Sequence, residues 1–299
     1  MTLSEELPFI FSLIVSGLSI GMMYALIALG FVLVYKATDA INFAQGEFVM
    51  LAGFVAATIL AAKAPLWVAI LLAIVAMIVF SFALERIVLR PLLGRPVVAV
   101  IMATIGLAAI LRGLPPITIG AQTKLIPLPL PEDSINIWTA SVPPIQALGV
   151  VVTILCLLGF SWFFTKSRMG VAMRAVADNQ QVAMAMGINV ERYFAIAWAM
   201  AGLVSALGGI IWGSMLGVDT QLALVGLKVF PVVILGGLDS IIGSVVGGLI
   251  VGVVESLAAG YLDPIVGGGT KDFAPYVLMI ITLMFKPYGM FGKRKIERI

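Results

Sequence analysis

Residues Phe9–Tyr35, FIFSLIVSGLSIGMMYALIALGFVLVY, contain no charged side chain, and what they are decides what the rest of the chain must be. The run exceeds the roughly 20 apolar residues needed to cross a bilayer. It follows Glu5 and Glu6 rather than a basic start, and its apolar core is longer than that of a secretory signal, so it reads as a retained span. The composition outward from it agrees. The chain is 62% hydrophobic and 11% charged, with a mean hydropathy of +1.15, whereas soluble domains carry about 25% charged residues. A soluble enzyme is excluded. The expectation is an all-α polytopic transmembrane helical bundle of about eight or nine spans, some short or broken, forming one domain over residues 1–299.

Spans are expected near 10–35, 44–62, 66–85, 97–111, 146–164, 194–216, 222–237, 240–260 and 273–290. Nine crossings put the two termini on opposite sides. With the amino terminus outside, the cytoplasmic segments hold Lys36, Arg86, Arg90, Arg95, Lys166, Arg168, Arg174, Arg192, Lys286, Lys293, Arg294, Lys295 and Arg298, most of the 18 Lys and Arg. The excess of positive charge inside therefore favours an external amino terminus and a cytoplasmic carboxyl terminus. Reading 222–260 as a single crossing would put the basic tail GKRKIERI outside, which counts against it.

Two of these segments, 97–111 and 222–237 with Pro231 inside it, are short for a crossing. Short or interrupted helices persist at membrane depth where protein or a water-filled path surrounds them, and their occurrence in both halves of a chain fits a transport path. Asp39–Glu47 enters the second span with several polar side chains. Buried polar groups are costly unless partnered or facing water, so Asn42, Gln45 and Glu47 are expected to face other helices or a cavity, with Gly46 allowing a sharp backbone. An ordinary turn in which Asp39 or Asn42 caps the second helix is the alternative. A second polar break lies at Leu235–Ser240. There Gly236 and Gly237 would end one helix, and Asp239 or Ser240 would cap the next. Gly17 with Gly21, Gly209 with Gly213, Gly243 with Gly247 and Gly248 with Gly252 give the spacing of four that lets helix backbones approach closely.

An external loop is expected over 112–145, where Pro115, Pro116, Pro127, Pro129, Pro131, Pro143 and Pro144 disfavour long helices and Trp138 suits a membrane interface. On the cytoplasmic side, Met169–Arg192 is a polar island between apolar runs. Val171, Ala175, Val182, Ala183 and Met186 favour one helical face, and Arg174 and Asp178 are one turn apart. Gly187 is a helix terminator, followed by Ile188 and Asn189. A short helix over 171–187 is expected, lying on the membrane or in a groove of a soluble partner.

No G-x-x-x-x-G-K-[ST] phosphate loop occurs, so the chain is not expected to hydrolyse ATP. There is no His, and Cys156 is a single cysteine within an apolar run. No catalytic residue, metal site or bound cofactor is therefore expected, and nothing marks the chain for nucleic acid.

The stretches GMMYALIALGFVLVYKATDAINFAQGEFVMLAGF (21–54), MRAVADNQQVAMAMGINVER (173–192) and LKVFPVVILGGLDSIIGSVVGGLIVGVVES (227–256) resemble the branched-chain amino-acid ABC transporter permease family, closer to its LivH-type than its LivM-type member. The resemblance implies a subunit of a bacterial or archaeal inner-membrane importer for branched-chain amino acids or related small polar solutes. Its implied partners are a second, LivM-like permease, two cytoplasmic ATPases that use ATP and Mg, an extracytoplasmic solute-binding protein and membrane lipid. It also implies that the island is a coupling helix, through Arg174, Ala175, Asp178, Ala183, Gly187 and Ile188. The path residues would come from Asn42, Gln45, Gly46, Glu47, Gly236, Gly237, Asp239 and Ser240. Family relatives handle urea, short amides and aromatic acids as well, and no Arg or Lys is placed mid-span to mark a carboxylate site. An ion-coupled secondary transporter without ATPases is the alternative from a different class, with Glu47, Asp239 and Glu255 as its candidate acids.

Overall fold

The structure, a computed structural model, describes residues 3–92 and 95–292; the basic residues at 293–299 used in the charge count lie outside the described residues. Twelve helices are found among them: α1 (Leu3–Thr38), α2 (Gln45–Ala61), α3 (Leu66–Leu84), α4 (Val97–Thr118), α5 (Pro144–Lys166), α6 (Arg168–Asp178), α7 (Gln180–Ala185), α8 (Val190–Leu216), α9 (Leu224–Gly236), α10 (Ile241–Tyr261), α11 (Asp263–Val266) and α12 (Thr270–Phe285). A single hairpin pairs β1 (Ile135–Ile137) with β2 (Ala140–Val142), in register Ile135 with Val142. Six helical stretches have the length and apolarity to cross a membrane: Glu6–Thr38, Leu66–Leu92, Val97–Thr118, Pro144–Lys166, Val190–Leu216 and Ile241–Tyr261. The apolar helices Gln45–Ala61 and Thr220–Gly236 are shorter, and α12 has 16 residues.

Three boundaries differ from the sequence reading, each for a local reason. The segment read as 97–111 is a full helix of 22 residues. The expected loop therefore starts after Thr118, not at Arg112. Pro115 and Pro116 lack N–H donors but keep their carbonyls, and the Ile119 N–H donates to Pro115 O at 2.8 Å, which holds the last turn together. The prolines further on do disfavour helix, and the hairpin forms there, turning at Trp138 with φ of 55°. The island is two helices rather than one over 171–187. Asn179 takes extended dihedrals, and its side chain accepts from the Val182 N–H at 3.0 Å, so it caps α7 and interrupts α6. Finally, the helix read as 66–85 continues to Leu92 through a π-helical turn at Glu85–Leu89. There the Glu85 carboxylate, buried among the helices, takes hydrogen bonds from Arg90 at 3.3 and 3.0 Å.

Contacts divide the chain into two compact units. One comprises Met1–Ala28, Pro129–Thr153 and Lys228–Ile299, the other Leu29–Leu128 and Ile154–Leu227. In the first unit α10 is the centre. A Cβ on Gly21 of α1 would lie 2.4 Å from Gly248 O, and one on Gly236 of α9 would lie 2.0 Å from Gly243 O, so the small residues let backbones touch. α12 packs on α10, and the Phe11 ring meets Trp138 of the hairpin edge to face at 5.1 Å. In the second unit α8 lies against α2 and α3. Gly202 and Gly209 bring it onto the backbones of α3 and α2. Between them the fully buried Phe48 ring contacts Phe80 at 5.6 Å and Trp198 at 6.0 Å.

Candidate functional site

The break between α1 and α2 is buried in the second unit. Asn42, Gln45, Ser205 and Thr104 have no measurable exposure. Asn42 Oδ1 accepts from the Ala44 N–H at 3.0 Å, and its Nδ2 donates to Gln45 Oε1 at 3.2 Å. Gln45 Nε2 donates to Ser205 Oγ on α8 at 2.9 Å, and the Ser205 hydroxyl donates to Ala201 O at 2.8 Å. The Phe43 N–H donates to Thr104 Oγ1 on α4 at 3.3 Å. Each amide thus has a partner, the condition for a polar network at this depth. The capping alternative is corrected: the N-cap of α2 is Ala44, with no side-chain cap. Asp39 instead occupies the left-handed region, φ 56°, just past the end of α1. Gly46 is also corrected. It sits inside α2 with no sharp backbone, and its need for hydrogen in place of a side chain comes from Ala223 O and Gly226 Cα, which a Cβ would meet at 2.2 and 3.0 Å.

Two residues after Gln45 on α2, the Glu47 carboxylate is only 2% exposed and forms an ion pair with Arg112 of α4, whose side chain is 44% exposed. The pair lines a half-open cavity of about 140 Å³ whose other walls include Phe43, Ile105, Ala108 and Leu227. A volume of this size accommodates several waters or a small solute. Arg112 falls at the start of the expected external loop, yet it lies inside α4. Its spacing from the apolar run gave no sign of it, because the partner lies 65 residues away.

In the first unit, the second predicted break is a tight turn. Gly237 has φ of 102°, and the Ser240 N–H donates to Gly237 O at 3.1 Å. Ser240, not Asp239, caps α10, its hydroxyl oxygen accepting from the Gly243 N–H at 2.9 Å. Gly236 packs on Gly243 as described above. The same unit holds a second charge cluster. Lys228 Nζ donates to Asp272 Oδ1 at 2.6 Å and lies 3.8 Å from Glu255 Oε1. Lys228 and Arg112 therefore both stand within helices facing carboxylates.

The polar island at 169–192 belongs to the second unit. Ser167 caps α6 by accepting from the Gly170 N–H at 2.8 Å. The face that α6 and α7 bury is Gly170, Met173, Val176 and Ala183. Of the expected apolar face only Ala183 is buried; Val171, Ala175, Val182 and Met186 are exposed, as is Met184. Arg174, Asp178 and Gly187 are exposed, Ile188 is half-buried, and Gly187 has the positive φ of 80° that suits a terminator. Gln180 Nε2 donates to Ala37 O at 3.4 Å, so α7 touches the end of α1 two residues before the Asp39 turn. Among the described residues no group of three or more His, Cys, Asp or Glu could hold a metal ion.

Comparison with known proteins gives a consistent set of matches. The family described as branched-chain amino acid transport system / permease component matches residues 13–285. The high-affinity branched-chain amino acid transport system permease protein LivH of Escherichia coli (strain K12) is 30% identical over 99% of this chain and 100% of its own. The corresponding permease protein BraD of Pseudomonas aeruginosa is 32% identical over 96% and 97%. A probable branched-chain amino acid transport permease protein LivH of Methanocaldococcus jannaschii is 30% identical over 93% and 91%.

Proposed function

We infer the function of this chain from its family: it belongs to the branched-chain amino acid transport system permeases, matched across residues 13–285. It is a membrane-spanning permease subunit of an ATP-binding-cassette importer, and not itself an enzyme. The finer assignments are our proposal. A second, LivM-like permease completes the path, two cytoplasmic ATPases consume ATP and Mg, and an extracytoplasmic binding protein delivers a branched-chain amino acid or related small polar solute. The amino terminus faces outward, as the distribution of Lys and Arg favours.

The observation that supports ATPase docking is the exposed apolar surface of the α6–α7 island, with Val171 51%, Val182 58% and Met186 78% exposed. Apolar side chains grouped beside Arg174 and Asp178 suit a groove on a soluble partner better than open water. In the proposed cycle, closure of the ATPases displaces α6 and α7. The Gln180 contact passes that movement to the end of α1, and hence to the Asn42–Gln45 network and the cavity at Glu47. The solute must interact differently with the two states for the cycle to have direction.

The test is to replace Arg174, Asp178 and Gly187 one at a time and measure stimulation of ATPase activity by loaded binding protein in the reconstituted complex. Loss of stimulation is expected. Undiminished coupling in all three variants would remove the island from its assigned role.

A further inference from the structure

We propose that Glu47 and Arg112 are the specificity pair of the cavity, opening their mutual ion pair to take the two charges of a zwitterionic solute, the carboxylate on Arg112 and the ammonium on Glu47. This rests on the reading of the cavity as part of the solute path.

The geometry is asymmetric in a way that a purely structural ion pair does not require. Glu47 is held on α2, buried to 2% exposure, while the Arg112 side chain reaches it from α4 with 44% of its surface open. Arg112 engages Glu47 through one terminal nitrogen and one carboxylate oxygen. A guanidinium carries five N–H donors in a planar fork, so this contact leaves most of them for a second carboxylate. The nearby amides of Asn42 and Gln45 are satisfied by each other and by Ser205, so the ion pair is the charged feature of the cavity rather than a member of that network. Phe43, Ile105, Ala108 and Leu227 supply apolar wall for an uncharged side chain.

Charge balance selects the solute class. Exchanging one internal ion pair for two pairs with a zwitterion keeps the cavity neutral at every stage, and no charge is left uncompensated among apolar helices. A solute with only a carboxylate leaves Glu47 unpaired, and one with only an ammonium leaves Arg112 unpaired. A neutral amide offers neither charge and cannot separate the pair. When the solute leaves, the two side chains re-form their own ion pair, which returns the cavity to its starting state.

The experiment uses the assembled transporter, with both permease chains and the ATPases, in lipid nanodiscs without binding protein. Bound radiolabelled L-leucine is displaced by unlabelled L-leucine, by L-leucinamide, which lacks the carboxylate, or by 4-methylpentanoate, which lacks the ammonium. In the wild type, L-leucine is expected to displace at a concentration at least about tenfold lower than either analogue. Arg112→Gln is expected to bring L-leucine and L-leucinamide to within about twofold while keeping the preference over 4-methylpentanoate; Glu47→Gln is expected to do the reverse. Arg112→Lys, which keeps charge without the fork, should give an intermediate preference, and it stands in if Arg112→Gln does not assemble. Equal displacement by all three probes in the wild type, or wild-type preferences in the Gln variants, overturns the proposal. ATP-driven uptake by the wild-type complex is measured in parallel in sealed proteoliposomes with the binding protein added. Its absence alongside the expected preferences would sink the importer reading and leave the pair standing, while its presence with unchanged preferences would sink only the pair.

Discussion

A methyl group added at Gly46 would drive two packed backbones apart. The new Cβ would lie 2.2 Å from Ala223 O, and ordinary contact begins near 3.4 Å, so α2 and the Ala223–Gly226 backbone must separate by about 1.2 Å. Neither partner is a flexible side chain. Gly46 and Phe48 are two residues apart and point to opposite sides of α2, so movement of α2 also presses Phe48 onto Phe80 and Trp198. Overpacking of this kind costs about 1–3 kcal/mol, and backbone-to-backbone contact puts Gly46→Ala at the upper end. Gly226→Ala meets Gly46 Cα at 2.4 Å and presses on the same seam from the other side. Once one methyl has opened the seam the other costs less, so the double variant should be less destabilised than the sum of the singles. Gly106→Ala is the control: nothing lies within 4 Å of its Cβ position, and loss of a helical glycine should leave stability unchanged or raise it by about 0.5–1 kcal/mol. The assay is the apparent melting temperature of purified chain in one detergent, read by tryptophan fluorescence. Wild-type melting of Gly46→Ala, or strict additivity in the double variant, would refute the argument.

Two other outcomes follow from individual side chains. Gln45→Leu keeps approximate volume but leaves Asn42 Nδ2 without its acceptor, while the Ser205 hydroxyl keeps its bond to Ala201 O; at about 1–3 kcal/mol for a buried group left unmade, denaturant titration should show a loss on the order of 1–3 kcal/mol, and an unchanged midpoint would count against a satisfied network. The Thr270 hydroxyl and its N–H, which donates at 2.8 Å, hold the Asp263 carboxyl below the usual carboxylate range. A depressed value in the folded chain contributes stability above the ordinary carboxylate pKa of about 3.9, and that contribution is lost as pH falls through the depressed value. Melting of the wild type should therefore drop more between pH 6 and pH 3 than melting of Asp263→Asn, and parallel curves would contradict the assignment.

The long apolar helices are legible because bilayer length and hydropathy act on contiguous residues: α1, α8 and α10 need nothing from elsewhere in the chain. What could not be read were relations fixed only by packing. Arg112 resembles the end of a span because a charge normally seeks water, and here it seeks Glu47, 65 residues away in sequence. The Gln45–Ser205 bond spans 160 residues, and no local pattern announces it. Gly46 was singled out for its backbone freedom, whereas the structure uses its lack of a side chain against α9. The island split was within reach of sequence reasoning. Asn179 stands three residues before Val182, an ordinary capping arrangement, but the count of apolar positions favoured one continuous helix. Of the apolar positions expected on one face only Ala183 is buried, and the buried face is made by Gly170, Met173, Val176 and Ala183 instead.

The last described residues have a practical meaning for handling this protein. Beyond α12 the chain turns back in the first unit, and the Met290 and Phe291 N–H groups donate to Leu235 O and Gly236 O at 2.8 and 3.1 Å. The final carbonyls of α9 are thus completed by backbone from 55 positions downstream rather than by a continuing turn. Trimming the chain at Lys286 to remove its basic end would strand those carbonyls, and a purification tag joined before Gly292 would compete for the same space. An affinity handle should begin only after that residue, with a flexible spacer, if the purified protein is to keep the end of α9 intact.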